Sequence, residues 1–112
     1  MAMNMRYLLR TDGFEYEVVK PPTPKTEMNG AQRIDKRSKL PMWTVTLLQC
    51  DPQSESADQL EVSVVSEFVP PVRWREPVEV VDLEIIPWTQ KDPGGAVRSG
   101  VAFRAASIRS HA

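Results

Sequence analysis

Short runs in which apolar and polar residues alternate recur along the whole chain, and segments rich in proline, glycine and polar residues separate them. This period of two is typical of β-strands with one face on a core and the other toward solvent. No window of eleven or more residues carries an uninterrupted apolar stripe with helical spacing. The pattern therefore predicts an all-β protein, with strands at 14–19, 42–49, 60–66, 78–86 and 100–108.

The breaks between these runs define the connections. Prolines interrupt residues 20–25 and 70–77, and proline cannot donate a hydrogen bond within a sheet. Residues 51–56 form a polar turn, and residues 91–95 form a second turn with two glycines. The sequence predicts one domain over 1–112, with a long loop at 20–40 and flexible ends at 1–12 and 109–112.

Five strands joined by short connections leave two sheet edges whose unpaired backbone groups can pair with another chain. Closing the sheet into a barrel removes most of this exposed edge. A small five-stranded Greek-key barrel of the OB type fits this strand count. An SH3-like barrel or a small sandwich remains the alternative, because strand count does not determine topology. The alternating positions predicted to fill the core are Trp43, Val45, Leu47, Val62, Val64, Leu83, Ile85 and Phe103.

The residue inventory limits the chemistry. The single histidine, His111, is the penultimate residue, so a catalytic dyad or triad would depend on the chain end. No cysteine and histidine spacing matches a metal site, and no glycine pattern matches a phosphate-binding loop. We therefore expect a non-enzymatic protein without a cofactor. The lone Cys50 and the absence of an apolar signal or membrane-spanning run predict a cytoplasmic protein that does not bind membranes.

The net charge of −1 conceals an uneven distribution. Residues 1–46 carry a charge of +3, residues 47–95 carry −7, and residues 96–112 carry +3. A basic face forms if the two ends of the chain meet in the fold. The other interpretation is that these charges only coat a soluble domain.

Three segments resemble a known group of proteins. Residues 30–45 resemble the pattern G-x-Q-R-x-D followed by P-x-W-x-V, residues 86–88 resemble x-P-W, and residues 98–105 resemble R-S-G-x-x-F-R-A. The chain is thereby similar to small, mostly uncharacterised actinobacterial proteins encoded on plasmids, integrative elements and prophages. Relatives often carry Thr-Gly where this chain has Ser38-Lys39. The resemblance implies an OB-like barrel and, for some relatives, a role with single-stranded DNA.

Binding of single-stranded nucleic acid needs cations for the phosphates and flat side chains for the bases. Trp74 lies between two arginines in a proline-bounded segment and is the best stacking candidate, although it equally fits a plug at one barrel end. Trp43 shares its face with Val45 and Leu47, which favours a place in the core. The predicted nucleic-acid-binding residues are Arg33, Lys36, Arg37, Lys39, Arg73, Trp74, Arg75, Arg98 and Arg104.

These features predict a single-stranded DNA-binding accessory protein of a mobile element. The competing prediction is a non-enzymatic adaptor in replication or transfer, whose acidic stretch at 51–67 or 76–84 meets a protein partner. A homo-oligomer is compatible with both functions. Because the first and last strands of an OB-type barrel are close together, we expect Arg33, Lys36, Arg37 and Arg104 to share one face.

Overall fold

The computed structural model describes residues 5–111, and every regular element in that range is a β-strand. No helix within these residues is long and apolar enough to cross a membrane. The strands are β1 (Tyr7–Leu8), β2 (Glu15–Pro24), β3 (Met42–Asp51), β4 (Ser56–Val65), β5 (Pro77–Val81), β6 (Glu84–Lys91), β7 (Val97–Ala105) and β8 (Ser107–Ser110).

These strands form one eight-stranded mixed sheet in the order β1-β6-β7-β4-β3-β2-β5-β8. All neighbouring pairs are antiparallel except β4 and β7, which run parallel. The all-β class predicted from the sequence is confirmed. The predicted count of five strands is wrong, and hydrogen bonds do not close the sheet into a barrel, because β1 and β8 end the order unpaired with each other.

Two predicted strands are each divided by one short break. Asp82, with φ of 51°, turns the chain between β5 and β6, which then join different neighbours. Ala106 separates β7 from β8 and donates its backbone N–H to the Val81 carbonyl at 2.9 Å. The predictions of single strands at 78–86 and 100–108 are therefore wrong, because alternation continues through a bend that changes the pairing partner.

The bend at Ala106 curves the sheet. β7 pairs with β4, whereas β8 pairs with β5, and β3 and β2 lie between β4 and β5 in the sheet order. A single stretch of chain from 97 to 110 thus contacts two strands that are three places apart in the sheet. The sheet wraps around its own inner face, and that face becomes the core.

The segments predicted to be loose are more ordered than expected. β2 continues through its prolines to Pro24, with shifts of register after Val18 and Lys20. Proline is tolerated at such irregularities because its missing N–H leaves no ladder bond broken. At the predicted flexible ends, residues 7–8 pair with β6 and residues 109–110 pair with β5, while residues 1–4 and 112 lie outside the described range.

The core lies on the inner face of the curved sheet. Five of the eight predicted core residues are buried, namely Val45, Leu47, Val62, Val64 and Leu83. Trp43, Ile85 and Phe103 are intermediate in exposure, so they are covered for the most part but not completely. Trp43 keeps its indole N–H near the surface, where it donates to the Ser66 carbonyl at 2.9 Å. The core also contains residues from β2, β4, β5, β7 and β8 and from the connection between β4 and β5. These residues are Tyr16, Val18, Leu60, Val72, Val78, Val80, Ala105 and Ile108.

Candidate nucleic-acid interface

Residues 25–41, which we call the basic loop, extend the β2–β3 hairpin beyond the sheet. Backbone hydrogen bonds at its base run from Lys25 N to Met42 O (3.0 Å) and from Met42 N to Arg33 O (2.9 Å). Isolated bridges join Thr26 to Gln32 and Ile34 to Pro41. The basic loop is therefore ordered and contains two successive turns, each closed by one of these bridges.

The second turn of the basic loop is organised by Asp35. Its carboxylate accepts hydrogen bonds from the Ser38 backbone N–H (3.0 Å) and the Ser38 hydroxyl (2.8 Å). Lys39 completes the turn in the left-handed region, with φ of 63°, which favours glycine over residues with a β-carbon. The Ser38 bonds lower the pKa of Asp35 below its usual value, and Arg104 contributes in the same direction. Asp35 thus stays ionised and holds the loop in shape.

The basic loop is also tied to the sheet by two contacts. Arg104 on β7 lies 3.5 Å from Asp35, measured from Nη2 to Oδ1. Lys25 donates a hydrogen bond from Nζ to the Ser63 hydroxyl at 2.7 Å. Burial lowers the pKa of Lys25, and the charges of Arg33 and Arg104 lower it further, with Glu61 opposing them. Positive charge is therefore concentrated where the loop crosses β4 and β7.

An open groove of about 1310 Å³ lies between the basic loop and the sheet. Five basic and two acidic side chains contribute to its walls. Its lining residues are Arg6, Thr26, Glu27, Met28, Asn29, Arg33, Ile34, Asp35, Lys36, Arg37, Met42 and Arg104. The structure thus brings together the four basic residues that the sequence predicts on one face, and a net positive charge lines this groove.

The groove also has an apolar component. The Met28 side chain is fully exposed, with a relative accessibility of 107%, and Ile34, which also lines the groove, is exposed as well. No aromatic side chain belongs to the lining of this groove. Any flat group that enters the groove would therefore rest on Met28 and Ile34 rather than on a tryptophan.

The Arg-Trp-Arg segment lies elsewhere. Trp74 is 66% exposed, and the Arg75 guanidinium lies 5.8 Å from the centre of its ring. Arg75 is engaged with β2, because it donates from Nε to Glu17 (3.2 Å) and from its backbone N–H to Val18 O (2.7 Å). Six residues of β2 lie between Val18 and the start of the basic loop, a distance of roughly 20 Å along an extended chain. Trp74 is thus accessible but belongs to a different surface.

Two other predicted residues also lie outside the groove lining. Lys39 is exposed on the basic loop, and Arg98 is exposed on β7 opposite Gln90. Conversely, sequence reasoning missed Arg6, which reaches the groove because the neighbouring β1 pairs with β6. A two-residue strand gives no periodic signal, so this position was not recognisable from the pattern. Met28 and Ile34 were missed because they stand in a polar segment without alternation.

No protein-family model matches this sequence, and no curated protein is significantly similar to it. Among residues 5–111, no group of three or more histidine, cysteine or acidic side chains is arranged to hold a metal ion. The interpretation of the groove therefore depends on its own geometry and charge.

Proposed function

We propose that this protein is a single-stranded DNA-binding accessory protein and that the strand lies in the groove beneath the basic loop. The observation that carries the proposal is the convergence of Arg33, Lys36 and Arg37 from the loop with Arg104 from β7. Arg104 lies 67 to 71 positions after the three loop residues in sequence, yet all four line one open groove. Clustered cations along a groove are what a phosphate backbone requires.

The connectivity of the sheet supports an OB-type arrangement, in which β7 and β8 act as one bent last strand. β2 pairs with β3 and β5, β3 pairs with β4, β4 runs parallel to β7, and β8 pairs with β5. When β7 and β8 are counted as one bent strand, these pairings link five strands in a ring that is interrupted at the bend between β7 and β8, with β6 and β1 added beyond β7. OB folds are partly open barrels that bind oligonucleotides through the loop between the first two strands and the adjacent sheet face. The basic loop is that loop in this chain.

The groove offers more than charge, because it combines cations for the phosphates with apolar surface for unpaired bases. Arg33, Lys36 and Arg37 are exposed and can each meet one phosphate. Met28 and Ile34 offer apolar surface to the faces of unpaired bases, which are hidden in a stacked duplex. Arg104 is held by Asp35, which partly offsets its charge, so it is less available to a phosphate than the three loop residues are.

The cellular context of the proposal comes from the resemblance described above. Proteins similar in the segments 30–45, 86–88 and 98–105 are encoded on plasmids, integrative elements and prophages. We accordingly assign this chain an accessory role in the cytoplasm, where such elements expose single-stranded DNA during replication or transfer. This role involves no catalysis and no cofactor.

The direct test is fluorescence anisotropy with a labelled thirty-mer of mixed sequence at low salt and micromolar protein. The proposal predicts saturable binding to the single strand and weaker binding to the same sequence as a duplex. Absence of binding to the single strand under these conditions contradicts it. Equal affinity for both forms also contradicts it, because the base faces would then contribute nothing.

An adaptor function is the second candidate, and one specific surface favours it. The connection between β4 and β5 leaves Phe68, Val69 and Trp74 exposed, although large apolar side chains usually avoid solvent in such numbers. Exposed acidic residues such as Glu67 and Glu79 lie nearby in sequence. If DNA does not bind, a protein partner that meets this connection becomes the leading function.

A further inference from the structure

The distal part of the β6–β7 hairpin, residues 86–102, extends beyond the strands that flank its base as a two-stranded arm. Its register is continuous from Glu84 opposite Arg104 to Lys91 opposite Val97. Beyond β6, β1 pairs only with residues 84 and 85, and β4 pairs only with residues 103 to 105 of β7. An isolated two-stranded ribbon is at best marginally stable in water. Independent stability requires three or more strands with an apolar face. The arm thus lacks the neighbours that a stable sheet needs.

The two edges of the arm differ in their ability to accept another strand. On β6, Pro87 has no N–H to donate. On β7, residues 97–101 contain no proline, and their register with β6 has no bulge. Prolines and β-bulges normally protect the edge strands of natural sheets from pairing with another chain. Val97 and Val101 on this edge are instead 64% and 50% exposed. The β7 edge is therefore the open one.

The sequence of that edge is complementary to itself. If a second β7 pairs antiparallel about a two-fold axis through Ser99, Val97 of one copy lies opposite Val101 of the other. Both valine pairs then fall on the same face of a four-stranded sheet, because residues two apart share a face. Aliphatic cross-strand pairs of this kind stabilise antiparallel sheets.

The opposite face is complementary in a second way. Trp88 pairs with Gly100, and its ring packs so closely that a β-carbon added at Gly100 would lie 2.8 Å from Cζ2. Glycine thus lets the ring extend over β7 toward the open edge. In the register about Ser99, Arg98 of the second copy is opposite Gly100. Its guanidinium then reaches the face of Trp88, which is 42% exposed, as a cation–π contact.

We propose that two copies of this chain associate through β7 of the arm, in antiparallel register about Ser99, to form a continuous four-stranded sheet. Because the register makes every contact twice, the interface is closed and stops at the dimer. The proposal does not depend on DNA binding, since none of the arm residues Trp88, Val97, Arg98, Ser99 or Val101 lines the groove.

Sedimentation equilibrium measures the association of the full chain. The wild type is expected to dimerise at micromolar to tens of micromolar concentration. The double variants Val97→Glu/Val101→Glu and Val97→Lys/Val101→Lys should each dimerise at least roughly tenfold more weakly, because like charges then lie opposite each other. An equimolar mixture of the two should form the heterodimer. Val69→Glu, at an exposed valine outside the arm, is the control and should dimerise like the wild type.

Cross-linking tests the register itself. In a Cys50→Ala background, Ser99→Cys should form an intermolecular disulfide under mild oxidation, because residues on the axis of an antiparallel pair are within disulfide distance. Thr89→Cys is the matched control on the same face; its two copies would be separated by about 14 Å, three strand spacings, and should not cross-link. A monomeric wild type at 100 μM or so, or a dimer that Ser99→Cys does not cross-link, overturns the proposal.

Discussion

Arg104 on β7 and Asp35 in the basic loop face each other at 3.5 Å, and this ion pair joins segments almost seventy residues apart. Both side chains are largely shielded from solvent, with relative exposures of 26% and 15%. The same carboxylate accepts the two Ser38 hydrogen bonds that shape the loop. One acidic residue thus shapes the basic loop and fixes it above the groove.

Replacing Asp35 by alanine should loosen the basic loop without unfolding the domain. The variant loses the Ser38 bonds and the contact with Arg104, so amides between 33 and 42 should exchange hydrogen faster. Amides of β3 and β4 should keep their protection, because the core does not include Asp35. Hydrogen exchange measured by mass spectrometry checks this. Asp51→Ala, which removes similar turn bonds to Gln53 and Ser54, is the control and should affect only its own turn. Equal exchange in Asp35→Ala and wild type would contradict the anchoring role.

Met28→Ala should weaken binding of a single-stranded oligonucleotide by about 1 kcal/mol, because burial of the methionine side chain under a base is lost. The salt dependence should be unchanged, since no charge is removed. Thermal stability should also be unchanged, because the side chain is fully exposed. Phe68→Ala removes an exposed apolar side chain that does not line the groove, and this variant should bind like the wild type. An effect of Met28→Ala no larger than that of Phe68→Ala contradicts contact with the bases.

Lys25 should make the free energy of unfolding depend on pH in the alkaline range. Its pKa in the folded protein is lowered from 10.5, so between the two values the unfolded state binds more protons and stability rises with pH. Lys25→Met lacks this term. The stability of Lys25→Met minus that of the wild type should therefore decrease as the pH rises from 7 toward 10.5. Burial raises the pKa of Tyr16, but this contribution is present in both proteins and cancels in the difference. Urea denaturation across this range measures the trend, and a difference that increases with pH contradicts the assignment.

Leu47→Ala should cost about 2–5 kcal/mol of unfolding free energy, because Leu47 is completely buried at the centre of the sheet. Val69→Ala at an exposed position should cost about 0.5 kcal/mol or less. Chemical denaturation compares the two variants. A Leu47→Ala midpoint equal to that of the wild type would contradict the core described here.

Alternation of apolar and polar residues was sufficient to predict the strands whose pairing is regular. Val45, Leu47, Val62 and Val64 lie on β3 and β4, where the register runs unbroken, and all four are buried as expected. Alternation failed to predict burial where a strand extends beyond the core while its apolar and polar residues continue to alternate. Val101 and Phe103 alternate as Ala105 does, yet Val101 lies on the projecting arm and is exposed.

The meeting of distant segments was harder to predict. The sequence shows that net positive charge lies in both end segments of the chain. The expectation that Arg33, Lys36 and Arg37 meet Arg104 rested only on an assumed barrel topology. Nothing in the local pattern indicates that Asp82 and Ala106 divide two strands, because both breaks depend on which neighbour each segment pairs with. The contribution of Arg6 depends on the same long-range pairing.

The central claim is that the cations of the groove neutralise phosphates of a single strand, and the salt dependence of binding tests it most directly. Anisotropy titrations of a labelled thirty-mer across a salt series should give a linear plot of log K against log salt concentration. Lys36→Ala/Arg37→Ala should make the slope shallower by about 1.4, since each phosphate contact on a single strand contributes about 0.7. Arg73→Ala/Lys91→Ala removes the same charge from positions outside the groove lining and should leave the slope unchanged. Equal changes in the two double variants, or an unchanged slope in Lys36→Ala/Arg37→Ala, would contradict the account.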